Sequence, residues 1–297
     1  MTADPFAAAA GLVERSAAAY VAGVPDTPAD DGFFGPGSVT WRLSGDLSSP
    51  VGGLRSLLLQ ALHPLAMAGV DQHSNWRRDP VGRLAATSAY VTTISFGERG
   101  TAQQAAARVR RIHEHVTGTD PATGRSYAAG DPALLLWVHA ARVDSTLAAC
   151  GLFGTELTAQ DADRYVAEMT VAAELVGVPA GMAPDSTAAL AGYLDSVRPE
   201  LRCTQAAADA IGHLLNLPGM TEEIGEIWQD IRDGAIGSLP EWAQDMYGYR
   251  PSQPLTPERR EEIRQALGVL DAVFLGEPGV LEARQRTALR MRAARRS

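Results

Sequence analysis

From Leu54 onward, apolar side chains recur at intervals of three and four, and the gaps between runs carry helix start and stop signals. A chain patterned this way cannot bury its apolar residues in a sheet, because a strand needs a period of two. Asp79-Pro80 and Asp131-Pro132 each supply a capping oxygen followed by the residue best suited to the first helical position. Thr158 is a third cap, and Thr101 with Gln104 reads as a capping-box pair. These signals predict helices over 80–95, 102–117 (stopped by Gly118), 131 to about 150, and 158–176. Others follow near 185–197, 204–216, 221–232, 240–247 and 256–275, with an Arg-rich helical tail over 278–297. Leu54, Leu57, Leu58, Ala61, Leu62 and Leu65 describe a helix buried on nearly all sides and kinked at Pro64. Upstream, a helix over 6–22 leads into a Pro-, Gly- and Asp-rich loop over 24–53, where Ser38-Val-Thr-Trp-Arg-Leu43 is the one strand candidate. With no repeat, linker or composition boundary, residues 1–297 read as a single all-α globular domain.

Composition removes several classes of function. The net charge of −9 argues against nucleic acid as the main partner. All 26 basic residues are arginine, so no lysine is present for Schiff-base chemistry. Cys150 and Cys203 are too few for a disulfide framework and lack metal-ligand spacing. The N-terminus has no basic leader region, Glu14-Arg15 interrupts its apolar stretch, and no apolar run is long enough to span a membrane. A cytoplasmic protein is expected.

Two helices place polar groups on apolar faces. Arg83, Thr87, Tyr90 and Ile94 fall at i, i+4, i+7 and i+11 and share one face of the first. On the second, Ala102, Ala105, Val109, Ile112 and Val116 form the stripe expected to be buried. His113 lies beside that stripe, and His115 among Arg108 and Arg111 on the polar side. The string His113-Glu114-His115 is not a ligand cluster, since i and i+2 point about 200° apart on a helix. No H-E-x-x-H, no repeated Glu-x-x-His and no C-x-x-C-H is present, which argues against structural zinc, a ferritin-like di-iron centre and covalently attached haem. A single buried histidine is compatible with ligating a b-type haem from one side, although on its own a hydrogen-bonded core residue is the commoner case. His63 and His139 have the same ambiguity, with the core reading favoured. His73 and Trp76, in the loop over 71–78, are placed to cover a pocket mouth, and His213 reads as structural.

Arg83 on a small-residue face needs an anion, because an unpaired buried charge is costly. The candidates are a protein carboxylate, a haem propionate or an anionic oxygen species. Ala85 and Ala86 leave room for a flat cofactor. Arg110, one turn before His113, is either solvated or paired with a propionate.

Five stretches resemble one family: Asp31–Leu43, Leu59–Met67, Asp79–Thr87, Arg110–Gly118 and Leu135–Ser145, together spanning roughly residues 30–215. They are similar to the haem-dependent oxygenases represented by rubber oxygenase (latex-clearing protein) and the mycophenolic-acid-pathway oxygenase. The resemblance implies His113 as the proximal haem ligand and Arg83 and Thr87 as distal residues. The family's distal Arg-x-x-Lys-Thr pattern is matched at Arg83 and Thr87, whereas Ala86 stands at the lysine position. A distal lysine that closes onto iron is thus absent, which turns the expectation from polyisoprene toward a smaller metabolite.

The sequence therefore predicts a haem b oxygenase that uses O2 or a peroxide on a small hydrophobic substrate, with an electron donor where the reaction needs one. His113 is the expected metal ligand, Arg83 and Thr87 the catalytic residues, and Arg110, Tyr90 and Ala86 further parts of the cofactor cavity. A non-catalytic haem protein that senses redox state or gas is the first rival. A cofactor-free helical ligand-binding protein is the second.

Overall fold

A computed structural model of the chain describes the backbone over 5–217 and 222–296, and the side chains within 13–217 and 225–296. Fourteen α-helices, one 3-10 turn (Arg198–Glu200) and one small hairpin account for the regular structure among these residues. In order they are α1 (Pro5–Gly23), α2 (Val39–Ser44), α3 (Ser49–Ala61), α4 (Pro64–His73), α5 (Pro80–Phe96) and α6 (Arg99–His113). The antiparallel pair β1 (Thr117–Thr119) and β2 (Ser126–Ala128) follows. Then come α7 (Pro132–Phe153), α8 (Ala159–Val176), α9 (Thr187–Val197), α10 (Gln205–Leu215), α11 (Glu222–Gly237), α12 (Glu241–Tyr247), α13 (Pro257–Leu275) and α14 (Val280–Ala294). The expected first residue of the 221–232 helix lies outside the described residues. The fold is all-α, as the periodicity predicts.

Most caps act as expected. The Asp79 carboxylate accepts from Gly82 N at 2.8 Å with Pro80 opening α5, and Asp131 does the same for α7. Thr158 and Asp161 close a reciprocal capping box on α8, and Gly177, at φ +114°, ends it in the left-handed conformation.

Three expectations are corrected. Ser38–Leu43 is not a strand: Ser38 caps α2, a short helix whose Val39, Thr40, Trp41 and Leu43 are all buried. The orphan first-turn donors of α2 go to Glu168 of α8, whose carboxylate accepts from Val39 N, Thr40 N and Thr40 Oγ1 at 3.2, 2.8 and 2.8 Å. The helix kinked at Pro64 is instead two helices, with His63 held extended before the proline at φ −84°, ψ 113°. Finally, α6 begins at Arg99 and stops at His113, so Thr101 and Gln104 lie inside it and Gly118 falls in β1. There a Cβ on Gly118 would sit 2.6 Å from the Tyr127 hydroxyl, which accounts for the glycine.

The largest core packs Leu58 and Leu59 of α3 on Trp137 and Phe153 of α7 and on Ile231, Ile263 and Leu267 of α11 and α13. Buried Arg55 locks this layer, reaching Asp144 and Ser145 Oγ at 2.7 Å each and the Ser238 carbonyl at 3.0 Å. A second core joins Ile94 of α5 and Val143 of α7 to Tyr165 and Met169 of α8. A third gathers Tyr20, Trp41, Phe96 and Val280, where α1 lies along α5 and meets α13 and α14.

The connection between α5 and α6 is pinned. Asp30 accepts from Gly32 N at 2.7 Å and Arg99 N at 2.9 Å, and Glu98 accepts from Ala29 N at 2.8 Å. Gly32, at φ +73°, approaches so closely that a Cβ would lie 2.4 Å from the Gly97 carbonyl. From this joint the two helices run back side by side, and α6 packs on α5 and α8 rather than on α7. Where the Arg83–Thr87 face of α5 meets Val138 of α7 a crevice remains, and it holds the candidate site.

Candidate functional site

The α5–α6 hairpin brings Arg83, near the start of one helix, and His113, at the end of the other, to the same open end. Proximity shows in their electrostatics. The His113 imidazole is held below its ordinary pKa by burial first and by the Arg83 charge second, and is therefore a neutral ring at neutral pH. Its buried Nδ1 has no hydrogen-bond partner. Arg83 opens onto the crevice, yet surrounding protein atoms withdraw it from bulk water and hold its pKa below the usual guanidinium value. Among the described residues no hydrogen bond or carboxylate offsets that burial, so the protein-carboxylate partner considered for Arg83 is not there.

The other sequence-predicted residues fall at different depths. Thr87 lies one turn past Arg83, and its hydroxyl donates to the Arg83 carbonyl at 3.0 Å, so its lone pairs rather than its proton remain for a ligand. Ala86 is exposed on the same wall. Tyr90, half-buried further along, has its phenol pKa pushed up to about 12 by burial, against the pull of Arg142 and Arg110. Arg110 is turned toward α8, where its guanidinium donates to the Leu175 carbonyl. His115 is exposed beyond the end of α6.

Of the α6 stripe expected to be buried, Ala102 is buried but Ile112 is 53% exposed, and Ala106, outside the stripe, is buried too. Val138 on α7 is 39% exposed and lines the crevice with Arg83 and Thr87, an apolar side chain left for a ligand rather than a packed interface. His139 follows Val138 and is buried, its pKa driven down to about 3 by burial first and the Arg142 charge second.

At its α5 end the crevice joins an apolar cavity. Leu57 and Gln60 of α3, Met67 and Val70 of α4, Arg83, Leu84 and Thr87 of α5, Val138, and Ile211, His213 and Leu214 of α10 line it. Trp76 closes one side, as expected of a mouth residue, with the Arg77 guanidinium 4.2 Å above its ring and His213 meeting it edge-on at 6.0 Å. His213, read from sequence as structural, is thus a wall of this cavity. His73 sits elsewhere, its Nε2 3.1 Å from the Thr117 carbonyl, and His63 is buried against Trp137.

Among the described residues, no three His, Cys, Asp or Glu side chains gather closely enough to hold a metal ion, and no helix is long and apolar enough to cross a membrane. No curated protein and no solved structure matches the chain. A family model does: that of the catalytic domain described as ER-bound oxygenase mpaB/B′/rubber oxygenase, over residues 41–272, from within α2 to within α13. The chain therefore belongs to this oxygenase family.

Proposed function

We propose that the crevice binds one non-covalent haem b with His113 as its protein ligand, and that the chain uses it to oxidise a small hydrophobic molecule with O2 or a peroxide. The observation that carries this reading is the pairing, at one end of the α5–α6 hairpin, of a neutral imidazole with an orphan ring nitrogen and a guanidinium without an anion. The surroundings fit such a group: Ala86 adds no bulk to its wall, and Ile112 and Val138 present apolar surface.

A bound haem supplies the iron at which O2 or a peroxide is activated. The chain's own contribution is positional and electrostatic. Burial keeps His113 deprotonated and able to offer a lone pair. Arg83 stays charged and aims several N–H donors at negative charge developing in a water-poor space. Thr87, fixed to the Arg83 carbonyl, accepts a hydrogen bond from a water or substrate group. The cavity beside them excludes water and takes the apolar body of the substrate, with Gln60 and His213 as its polar contacts.

Purified protein titrated with hemin should develop a Soret band saturating at about one haem per chain, the state expected without an attachment motif. His113→Ala should abolish or shift that band, and His115→Ala should leave it unchanged. His139→Ala is the control for the other buried imidazole; loss of the band in it alone would reassign the ligand. Arg83→Met should keep haem and melting temperature, having no ion pair to lose, while oxygen consumption falls on the order of 100-fold. A protein that takes up no hemin would refute the proposal.

A further inference from the structure

The cavity between α3, α5 and α10 has a volume of about 130 Å³. An apolar cavity of roughly 150 Å³ takes one benzene ring, so the occupant is a single six-membered ring or an equally compact chain. Leu57, Met67, Leu84, Val138, Ile211 and Leu214 give its body apolar surface to touch. The polar groups of the wall decide what else it carries. Gln60 donates through Nε2 to Ser56 Oγ at 2.7 Å and to the Val138 carbonyl at 3.4 Å. A carbonyl only accepts, so this contact fixes which end of the amide is nitrogen. Gln60 Oε1 receives no hydrogen bond among the described residues. The Trp137 indole, donating to the Gln60 backbone carbonyl at 3.1 Å, holds the residue in place. Thr87 has already given its proton to the Arg83 carbonyl. Two polar side chains of the wall therefore offer lone pairs only.

An acceptor in an apolar wall favours an occupant that brings a donor, because displacing its water with a group that cannot donate leaves it unpaired. An ether has no proton to give, and a carboxylate would set its own lone pairs against those of Gln60 and Thr87. A hydroxyl donates to one of them and accepts from a neighbouring donor. We infer that the cavity takes a compact hydroxylated molecule of about one ring, its O–H donating to Gln60 Oε1, and that Gln60 selects this class. Calling that molecule the substrate of an oxidation rests on the function proposed above. The selectivity of the cavity does not.

Benzyl alcohol, benzyl methyl ether and benzoate provide the test, since they share a ring and differ in the proton and charge they carry. In calorimetric titrations of the protein without porphyrin, the wild type should bind the alcohol on the order of tenfold more tightly than the ether or benzoate. Gln60→Met should weaken the alcohol by a similar factor and leave the ether unchanged. Ala210→Phe, which fills the cavity from α10, should abolish binding of both. Should Gln60→Met fail to fold, the wild-type preference and Ala210→Phe still decide. Equal weakening of alcohol and ether in Gln60→Met would overturn the inference. So would tighter binding of benzoate than of the alcohol, binding that survives Ala210→Phe, or no binding of any of the three. A protein that selects the alcohol yet takes up no hemin would keep this inference and refute the haem reading instead.

Discussion

At the scale of single residues, the crevice is defined by polar groups that lack protein partners. His139 gives the plainest consequence. Its folded pKa of about 3 lies below the ordinary imidazole value of about 6.5, so the unfolded chain binds the extra proton first. Folded stability from this group is complete above pH 6.5 and declines as the pH falls toward 3, by about 2 kcal/mol at pH 5. Urea unfolding at pH 7 and pH 5 should show that loss in the wild type and a correspondingly smaller one in His139→Leu. Equal pH dependence in both would mean that the ring meets water. Arg83, Thr87, Tyr90 and His113 were readable in the sequence because a polar residue breaks a mostly apolar helical face, and the 3.6-residue period fixes which face. Gln60 was not. α3 is buried through Arg55, Ser56, Leu58, Leu59 and Ala61 as well, so it has no contrasting polar side from which to read its phase. His213 escaped for another reason: its neighbour Trp76 comes from a distant loop.

At the scale of elements, helix starts decide what the sequence reveals. α5, α7 and α8 carry their caps in their own sequence, and their starts were foreseen to within a residue. α2 is completed by Glu168, well over a hundred residues away, and a local pattern cannot contain that partner. Glu168→Ala should strand two backbone N–H groups and the Thr40 hydroxyl. The expected loss is about 2–4 kcal/mol in urea unfolding, with Glu168→Gln keeping part of it through its remaining acceptor. A change of a few tenths of a kcal/mol would show that water replaces the carboxylate at α2. Ile112 teaches the complementary lesson. The stripe predicted its burial, but past Ala106 the neighbouring helices bury no side chain of α6, and Ile112 is exposed.

At the scale of the whole molecule, α1 and α14 lie outside the segment shared with the family, yet they complete one of its cores. Tyr20 meets Phe96 and Phe274 edge-on at 5.5 and 5.9 Å, and Gly23 rests against Thr92. Half of the tail's arginines are tied down: Arg284, Arg286 and Arg290 pair with Asp271, Asp26 and Asp31. A chain lacking residues 1–24 should lose at least about 3 kcal/mol of stability and bind a hydrophobic dye, since Phe96 and neighbouring apolar side chains lose their cover. An unchanged melting temperature would show that α1 only rests on the surface. The same contact bears on the site through the pinned α5–α6 joint. Arg83 and His113 both lie about 21 Å or slightly more from it along their helices, so the hydrogen bonds of that joint fix the two helices on which the pair depends. α1, lying along α5, backs the same helix from the other side, so the truncated chain should lose support for the site as well as stability.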